Sequence, residues 1–402
     1  MEIFVGALEL TMGLCALGLL IPCAVFFLEC VSAARRAALA DWTGASFPRT
    51  TIVIPAHNEA AGIAATLASV QAAAFPQMDV LVVADHCADA TADLARASGV
   101  RVVERWNLSQ RGKDFAIAFG LAALRAQPPE VVIVLDADCV VAPDALRQLA
   151  VRARTTARPV QAAYDFKPPS GSAPIVTLAA FAFRVKNVVR PLGLRRWGAP
   201  CLLTGSGMAF PWQHVQYLSA SGHLSEDMWW SVELTCAGYA PLFCPDAFVY
   251  GESPRRTAIL RTQRARWERG HFATMRAGIP KLLRAALRER RAEPLWLAWE
   301  LSVPPATLLG VAVVLLCIAA GLLFAMGRAP LPFALALLNL FLLAMAVWEA
   351  WWKFGRAEIP ARMLLMVPWY VIWKTPLYVH ALLRRRVVWT RTARESAASG
   401  ET

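Results

Sequence analysis

Apolar residues are distributed along this chain in two ways. Near its ends they run unbroken: Leu10 to Leu28, Leu301 to Gly327 and Ala329 to Trp348 contain no charged side chain. Each is close to the ~20 residues that a helix needs to cross a bilayer. Arg328 is the only charge in the short connection between the last two runs, so together they predict a helical hairpin across the membrane. Pro304 and Pro305 predict a bent or broken start to that hairpin. A final apolar stretch, Met363 to Leu383, is interrupted by Pro368, Lys374 and Pro376 and followed by Arg384-Arg385-Arg386. A full crossing would leave three arginines outside, so the expectation for 361–386 is a helix lying in, or re-entering, one membrane face.

From about Pro48 to Pro294 the pattern changes to short β-branched runs alternating with alanine-rich segments. Strands are expected at Thr51–Pro55, Val80–Ala84, Val100–Glu104 and Val131–Leu135. Helices are expected over Ala60–Ala74, in the stretch ending near Gly99, and over Lys113–Arg125. Single helices between strands predict a parallel α/β sheet, whose ligands sit at the C-terminal strand ends. The resulting division is an anchor over 1–30, a soluble domain over 48–276 and an amphipathic interfacial helix over 277–294. Membrane helices over 301–327 and 329–350, the 361–386 helix and a mobile polar tail over 390–402 complete it. The first run is preceded by Glu2 and followed by Arg35 and Arg36, which suits a retained anchor rather than a cleaved leader. The same bias places the soluble domain in the cytoplasm.

Composition supports lipid contact: 57% of residues are hydrophobic, 17% are charged and there are 15 tryptophans. The net charge of +12 favours an anionic partner, either lipid headgroups or a phosphorylated substrate. No zinc-finger, RNA-recognition or helix-turn-helix pattern points to nucleic acid. The Walker loop of an ATPase is also missing. The nine cysteines form no CxxC pair and read as buried free thiols.

The densest chemistry is Val131-Val-Ile-Val-Leu-Asp136-Ala-Asp138, a pure apolar strand ending in two carboxylates. Strand alternation directs both to one side, where they repel unless a cation such as Mg²⁺ or Mn²⁺ compensates them. Two turn-capping aspartates explain that short pattern equally well. Other strand ends add Pro55-Ala-His-Asn-Glu59 and Asp85, gathering acids on one rim of the sheet. Such acids can accept hydrogen bonds from a nucleobase or ribose. Lys113 could reach phosphate. Glu226-Asp227 after Ser225 has the look of a capped acidic helix start. Gln263, Arg266 and Trp267 share one face of a predicted helix, with His271 just beyond as a weaker candidate ligand. His57, His86 and His223 read as polar loop residues, Arg264 and its neighbouring arginines as headgroup contacts or solvated, and Lys374 as snorkelling to the interface. Gly205-Ser206-Gly207 is open to reading as an acceptor or donor loop, or as a simple turn.

Taken in order, Pro55-Ala-His-Asn-Glu59, Asp85, Gly112-Lys113, Asp136-Ala-Asp138, Glu226-Asp227 and Gln263-Arg-Ala-Arg266-Trp267 resemble family 2 glycosyltransferases. The likeness is to the membrane-bound branch that includes cellulose, hyaluronan and poly-N-acetylglucosamine synthases, and covers about Pro48 to Arg276. It implies a GT-A-type nucleotide-sugar-binding domain of mixed, mostly parallel sheet, and inverting transfer from a nucleotide-diphosphate sugar, usually UDP-linked. Pro55, Glu59, Asp85, Lys113, Asp136, Gln263, Arg266 and Trp267 would then bind the donor. Asp138 and Asp136 would hold Mg²⁺ or Mn²⁺, and Asp227, with Glu226 beside it, would act as base. Gly205, Ser206, Gly207 and Trp267 are the acceptor candidates. The implied setting is a bacterial inner (plasma) membrane, with a lipid-linked, lipid or polysaccharide acceptor, export or assembly partners and no nucleic acid.

The processive synthases carry more membrane helices than this chain. Addition of a single sugar is therefore as open as polymerisation, and a step in exopolysaccharide assembly is the preferred setting. A glycosyltransferase acting on ceramide or diacylglycerol shares the same residues. A membrane protein with a vestigial nucleotide fold would be expected to have lost some of these acids.

Overall fold

The computed structural model describes residues 2–33, 46–168, 171–220, 222–223, 225–252, 257–371 and 374–375. Arg35 and Arg36, the triple arginine, the 390–402 tail and about half of the last apolar stretch lie outside them. The chain opens with α1 (Glu2–Ser32), then β1 (Thr50–Ala56), α2 (Ile63–Ala72), β2 (Met78–Asp85), α3 (Thr91–Ala97), β3 (Arg101–Arg105) and α4 (Lys113–Ala123). Next come β4 (Val131–Val134), β5 (Cys139–Val141), α5 (Ala145–Thr156), β6 (Val160–Lys167) and α6 (Pro174–Arg184). A π-helical turn (Val185–Val189) joins α6 to α7 (Arg190–Arg196), followed by β7 (Met208–Pro211), α8 (Glu226–Cys236) and β8 (Leu242–Glu252). The remaining helices are α9 (Thr257–Glu289), α10 (Ala292–Ser302), α11 (Ala306–Ala325) and α12 (Pro330–Phe354).

The eight strands among the described residues form one sheet in the order β3-β2-β1-β4-β7-β6-β8-β5. Strands β3, β2, β1 and β4 are parallel, as expected, whereas β7 runs antiparallel to both its neighbours and β5 antiparallel to β8. Strand alternation decides what covers each face. Ile52, Ile54 and Ile133 turn toward α2 and α5, through Leu67, Val70, Leu146 and Leu149. Val53, Val132 and Val134 turn the other way, onto Ile117 of α4 and Trp230 of α8. Side chains of this kind, buried on both faces of a sheet, contribute roughly 1.5–3 kcal/mol each. Asp136 and Asp138 follow directly from the end of β4, which ties their position to the best-packed strand of the domain.

Among the described residues, three helices are long and apolar enough to cross a membrane: α1 over Val5–Ser32, α11 and α12. They pack together and leave Leu10, Leu14, Leu315, Leu322 and Phe341 exposed on the outside, as surfaces meant for lipid do. The hairpin starts one turn later than the apolar run suggests, because Leu301 and Ser302 finish α10 and the chain breaks at Val303–Pro305. A second difference concerns 277–294. No boundary falls near residue 277; α9 runs on to Glu289, and Leu282 packs with Val232 of α8 and Leu297 of α10. Of the final stretch, residues 361–371 form a short helical segment.

Candidate active site

Several loops at the C-terminal ends of β1, β2 and β4 meet in one cleft, and they are stitched before any ligand is considered. Asn58 takes a left-handed backbone (φ 54°) and its Oδ1 accepts from the Ala88 N–H at 2.7 Å. The Glu59 N–H donates to Thr91 Oγ1 at 2.7 Å. Asp85, at the end of β2, is held by Arg105 (2.7 Å) and by His86 Nδ1 (2.9 Å), while His57 Nδ1 lies 2.6 Å from the Asp85 carbonyl. His57 and His86 therefore brace Asp85 rather than standing as loose loop polars. Pro55 is partly exposed at the end of β1, opposite Val83.

Lys113 is the hub. As the first residue of α4 it reaches across the sheet end, pairing with Asp136 (2.5 Å) and donating to the Gly205 carbonyl (2.6 Å). Burial disfavours its charge, but Asp136, and after it Glu226, hold the ammonium above its ordinary pKa. Gly205 has a φ of +92°, and a Cβ there would lie 3.3 Å from Asp227 Oδ2 and 3.6 Å from Lys113 Nζ. One small residue thus separates Asp227 from Lys113. Asp227 is raised by burial, and Glu226 is pushed up to about 8 by burial and then by Asp227. Ser225 packs its hydroxyl directly on Gly270, which fixes the start of α8 one turn beyond Arg266 and Trp267 on α9.

Asp136, Asp138 and Cys139 bring their ligand atoms within 4.8 Å of one another. Nothing in the chain order singles out this cysteine, and its chemistry argues against it as a ligand. Burial, then Asp138 and Asp136, raise the Cys139 thiol well above its usual value, and it accepts from Ser206 Oγ at 3.3 Å. A protonated, hydrogen-bonded thiol is a poor ligand. The two carboxylates are better suited: the surrounding protein, then Asp136, push Asp138 up to about 6, a repulsion that a hard divalent cation would relieve.

The three residues of the Gly205–Gly207 loop are placed very differently. Ser206 is fully buried, its hydroxyl taken by the Asp136 N–H (3.1 Å) and by Cys139. Gly207 (φ +68°) is sealed under Ala162 and Val249. Only Gly205 borders the acids. Gln161, unmarked in the sequence, holds this loop: its Nε2 donates to the Ser206 carbonyl and its Oε1 accepts from the Thr204 N–H, both at 2.9 Å.

On α9, Trp267 is partly buried against Phe166 and Phe183, with ring centroids 6.0 and 5.8 Å away. Gln263 Oε1 is buried without a hydrogen-bond partner among the described residues, and Arg266 is partly exposed. Three expectations are corrected here. Arg264 does not face headgroups or solvent; it is buried, donates to the Ala179 carbonyl (2.8 Å) and lies 5.3 Å over Trp267. Lys374 does not snorkel; it is buried in an ion pair with Glu268, beside Thr307. His271 is buried among groups that include Lys186, Arg190 and the backbone of Leu301 and Val303, and it is not among the residues clustered with Asp136 and Asp138. The residue most plainly missed is Lys186, on the π-helical turn. Burial pushes it down to about 8 against the opposing pull of Asp227, and turns of this kind often mark functional sites.

Comparison with known proteins bears on the family and the fold. The family described as glycosyltransferase like family 2 matches residues 48–270. A protein of Bacillus subtilis (strain 168), the probable glycosyltransferase YdaM, is 22% identical over 240 residues, 56% of this chain and 55% of that protein. The chain therefore spans about half the length of that relative. Among solved structures, the mannosyltransferase PcManGT from Pyrobaculum calidifontis, in complex with GDP-Man and Mn²⁺, is similar over 90% of this chain and 99% of its own. At 20% identity and a TM-score of 0.56, that similarity is one of fold, a GT-A-like mixed sheet with flanking helices. The family match covers more than half of the chain, and the chain belongs to the family 2 glycosyltransferases.

Proposed function

We propose that this protein is an inverting, metal-dependent hexosyltransferase of the membrane-bound branch. It would move a sugar from a nucleotide-diphosphate donor to a membrane-associated acceptor, in exopolysaccharide or cell-surface glycan assembly. One observation carries the reading: Lys113 touches both Asp136 and Gly205, and Asp227 lies just across Gly205. A phosphate-binding cation, a metal-type acid pair and a carboxylate base are thereby gathered around one point at the end of β4.

Inverting transfer is a single displacement. The acceptor oxygen bonds to the anomeric carbon as the bond from that carbon to the diphosphate breaks, and the hydroxyl proton must be taken up. Asp227 is the base, and its burial makes it a stronger one than a solvated carboxylate. Glu226, pushed up to about 8, is largely protonated at neutral pH and can donate a hydrogen bond beside it. Lys113 and Arg266 face the departing diphosphate. Asp136 and Asp138 would hold Mg²⁺ or Mn²⁺, which when bound neutralises charge on that diphosphate. Glu59 and Asp85, on the neighbouring strand ends, suit the nucleoside, and the unpaired Gln263 Oε1 could accept from a sugar hydroxyl. Gly205 and Trp267 border the acceptor side, whereas Ser206 and Gly207 shape it from beneath.

The test is donor turnover by the full chain in a membrane mimic, with Mg²⁺ or Mn²⁺, UDP-sugars, GDP-mannose and lipid extract as acceptor. Metal-dependent release of nucleoside diphosphate is expected, lost in both Asp138→Ala and Asp227→Asn. Release that survives both substitutions would overturn the assignment. Extraction of labelled product separates a ceramide or diacylglycerol glycolipid from a polymer. The cytoplasmic placement of the domain, proposed with it, is tested by labelling single cysteines from either side of sealed vesicles.

A further inference from the structure

An open cavity of mixed polar and apolar lining lies where the ends of α1 and α12 meet α7. It has a volume of about 530 Å³ and is lined by Val31, Arg196, Trp352, Lys353 and Arg356, with the backbone turn after α1 as its floor. It shares no residue with the cleft around Asp136 and Asp227. Helices α1 and α12 end together here, joined by Lys353 Nζ donating to the Val31 carbonyl at 2.8 Å. Arg196 closes α7, the helix whose Gly193 rests directly on the Glu29 carbonyl of α1.

Among the described residues, no carboxylate lines the cavity. Lys353 is paired with Glu349 at 2.9 Å, but Arg196 and Arg356 have no carboxylate partner among the described residues. Arg356 sits 4.5 Å over the Trp352 ring, which orients its guanidinium while leaving the charge unmatched. Both arginines are exposed, as are Trp348 and Trp352 on the adjoining face of α12 and Leu28 on α1. Two uncompensated guanidiniums, a pocket the size of a headgroup and apolar side chains leading away along two membrane helices make a specific combination. Basic pockets between membrane helices bind anionic headgroups, tryptophans occupy the headgroup level, and guanidinium matches phosphate bidentately.

We infer that this cavity binds the phosphate headgroup of an anionic phospholipid, held by Arg196 and Arg356, with its acyl chains along α1 and α12. The inference rests on those two helices crossing the membrane and not on the transferase reading.

Native mass spectrometry of the full chain in detergent, without nucleotide, tests it with phosphatidylglycerol, phosphatidylcholine and inorganic phosphate as probes. Phosphatidylglycerol should be retained in preference to phosphatidylcholine. The paired substitution Arg196→Gln with Arg356→Gln should weaken it about thirty-fold, since each cation near a membrane surface is worth about one factor of five. Arg101→Gln with Arg125→Gln, on exposed positions of the soluble domain, should leave retention unchanged. Equal retention of both lipids, undiminished binding in the Arg196/Arg356 variant, or equal loss in the Arg101/Arg125 variant would each overturn the site. Inorganic phosphate binding as tightly as phosphatidylglycerol would overturn the lipid assignment, because the apolar flanks would then contribute nothing.

Discussion

The two halves of the site treat charge in opposite ways. Around β1, β2 and β4 the acids stand at strand ends on the border of the cleft, and Asp136 and Asp138 keep solvent access. Toward the three long apolar helices the charges are sealed inside. Glu29 of α1 pairs with Arg190 of α7, which also donates to the Glu300 carbonyl at 3.1 Å, while Glu268 pairs with Lys374. The exposed carboxylate of Asp138 is positioned for a ligand to neutralise, although Asp85 and Asp136 beside it already pair with Arg105 and Lys113. A buried pair is neutralised already, and its worth lies in fixing how helices meet, since removing one partner strands the other.

The largest effect should come from the residue joining the acids of the cleft. Lys113→Ala leaves Asp136, Glu226 and Asp227 repelling across Gly205 and removes a cation from the proposed diphosphate site. Donor turnover should fall by about 10²–10³, the loss typical of a single preorganised charge-stabilising donor. The melting temperature should change little. If it collapses along with turnover, the cleft acids are structural and the contrast between the two halves fails.

The halves also differ in how far the sequence could be read. Strands β1 to β4 are short apolar runs separated by helices, and their alternation alone sends Ile52 to one face and Val53 to the other. The acid-bearing ends then follow from counting along each strand. Nothing comparable marks the buried pairs: Glu29 and Arg190 are 161 residues apart, and Glu268 and Lys374 are 106. Local surroundings point Arg264, Lys374 and His271 to headgroups, interface and site, yet their partners lie on other elements. The antiparallel strand β7 is equally hidden, because Met208-Ala-Phe-Pro211 is too short to reveal its direction. Gln161 and Lys186 carry no local signal, although the loop and the turn they serve lie against the acids.

A second test removes a buried charge. Lys374→Met deprives Glu268 of its ion-pair partner and should cost about 3–5 kcal/mol. Adding Glu268→Gln should recover much of that loss. Recovery measured by thermal unfolding in detergent separates a pair whose charges matter to each other from two side chains that merely fill space. Turnover in the double variant should stay near that of the wild type, since neither residue lines the cleft. Next in size, Gly207→Ala places a Cβ 2.7 Å from Ala162 Cβ and 2.8 Å from Val249 Cγ2, at a φ of +68°. Overpacking of that kind costs roughly 1–3 kcal/mol. Gly99 has a similar φ of +74° with nothing within 4 Å, so Gly99→Ala isolates the backbone contribution. The two should differ by the packing cost alone.

The smallest effect is the one that distinguishes the halves by pH. Glu300 is buried on α10, where its carboxylate accepts from the Leu202 N–H at 3.1 Å, and burial pushes it up to about 8 although Arg190 pulls the other way. An acid whose folded pKa is raised stabilises the fold most below its unfolded value, near 4.3. That contribution erodes as pH climbs toward 8, because the unfolded chain ionises first. Glu300→Gln keeps an acceptor for the Leu202 N–H and has no proton to lose. Its melting temperature should therefore decline less than that of the wild type between pH 5 and 8. The gap should be a few degrees, each kcal/mol being worth roughly 2–4 °C in a domain of this size. A gap that does not change with pH would mean that Glu300 is ionised in the fold throughout, paired with Arg190. The region beside the apolar helices would then hold Glu300 as a carboxylate, unlike Glu226 in the cleft, whose carboxyl is pushed up by burial.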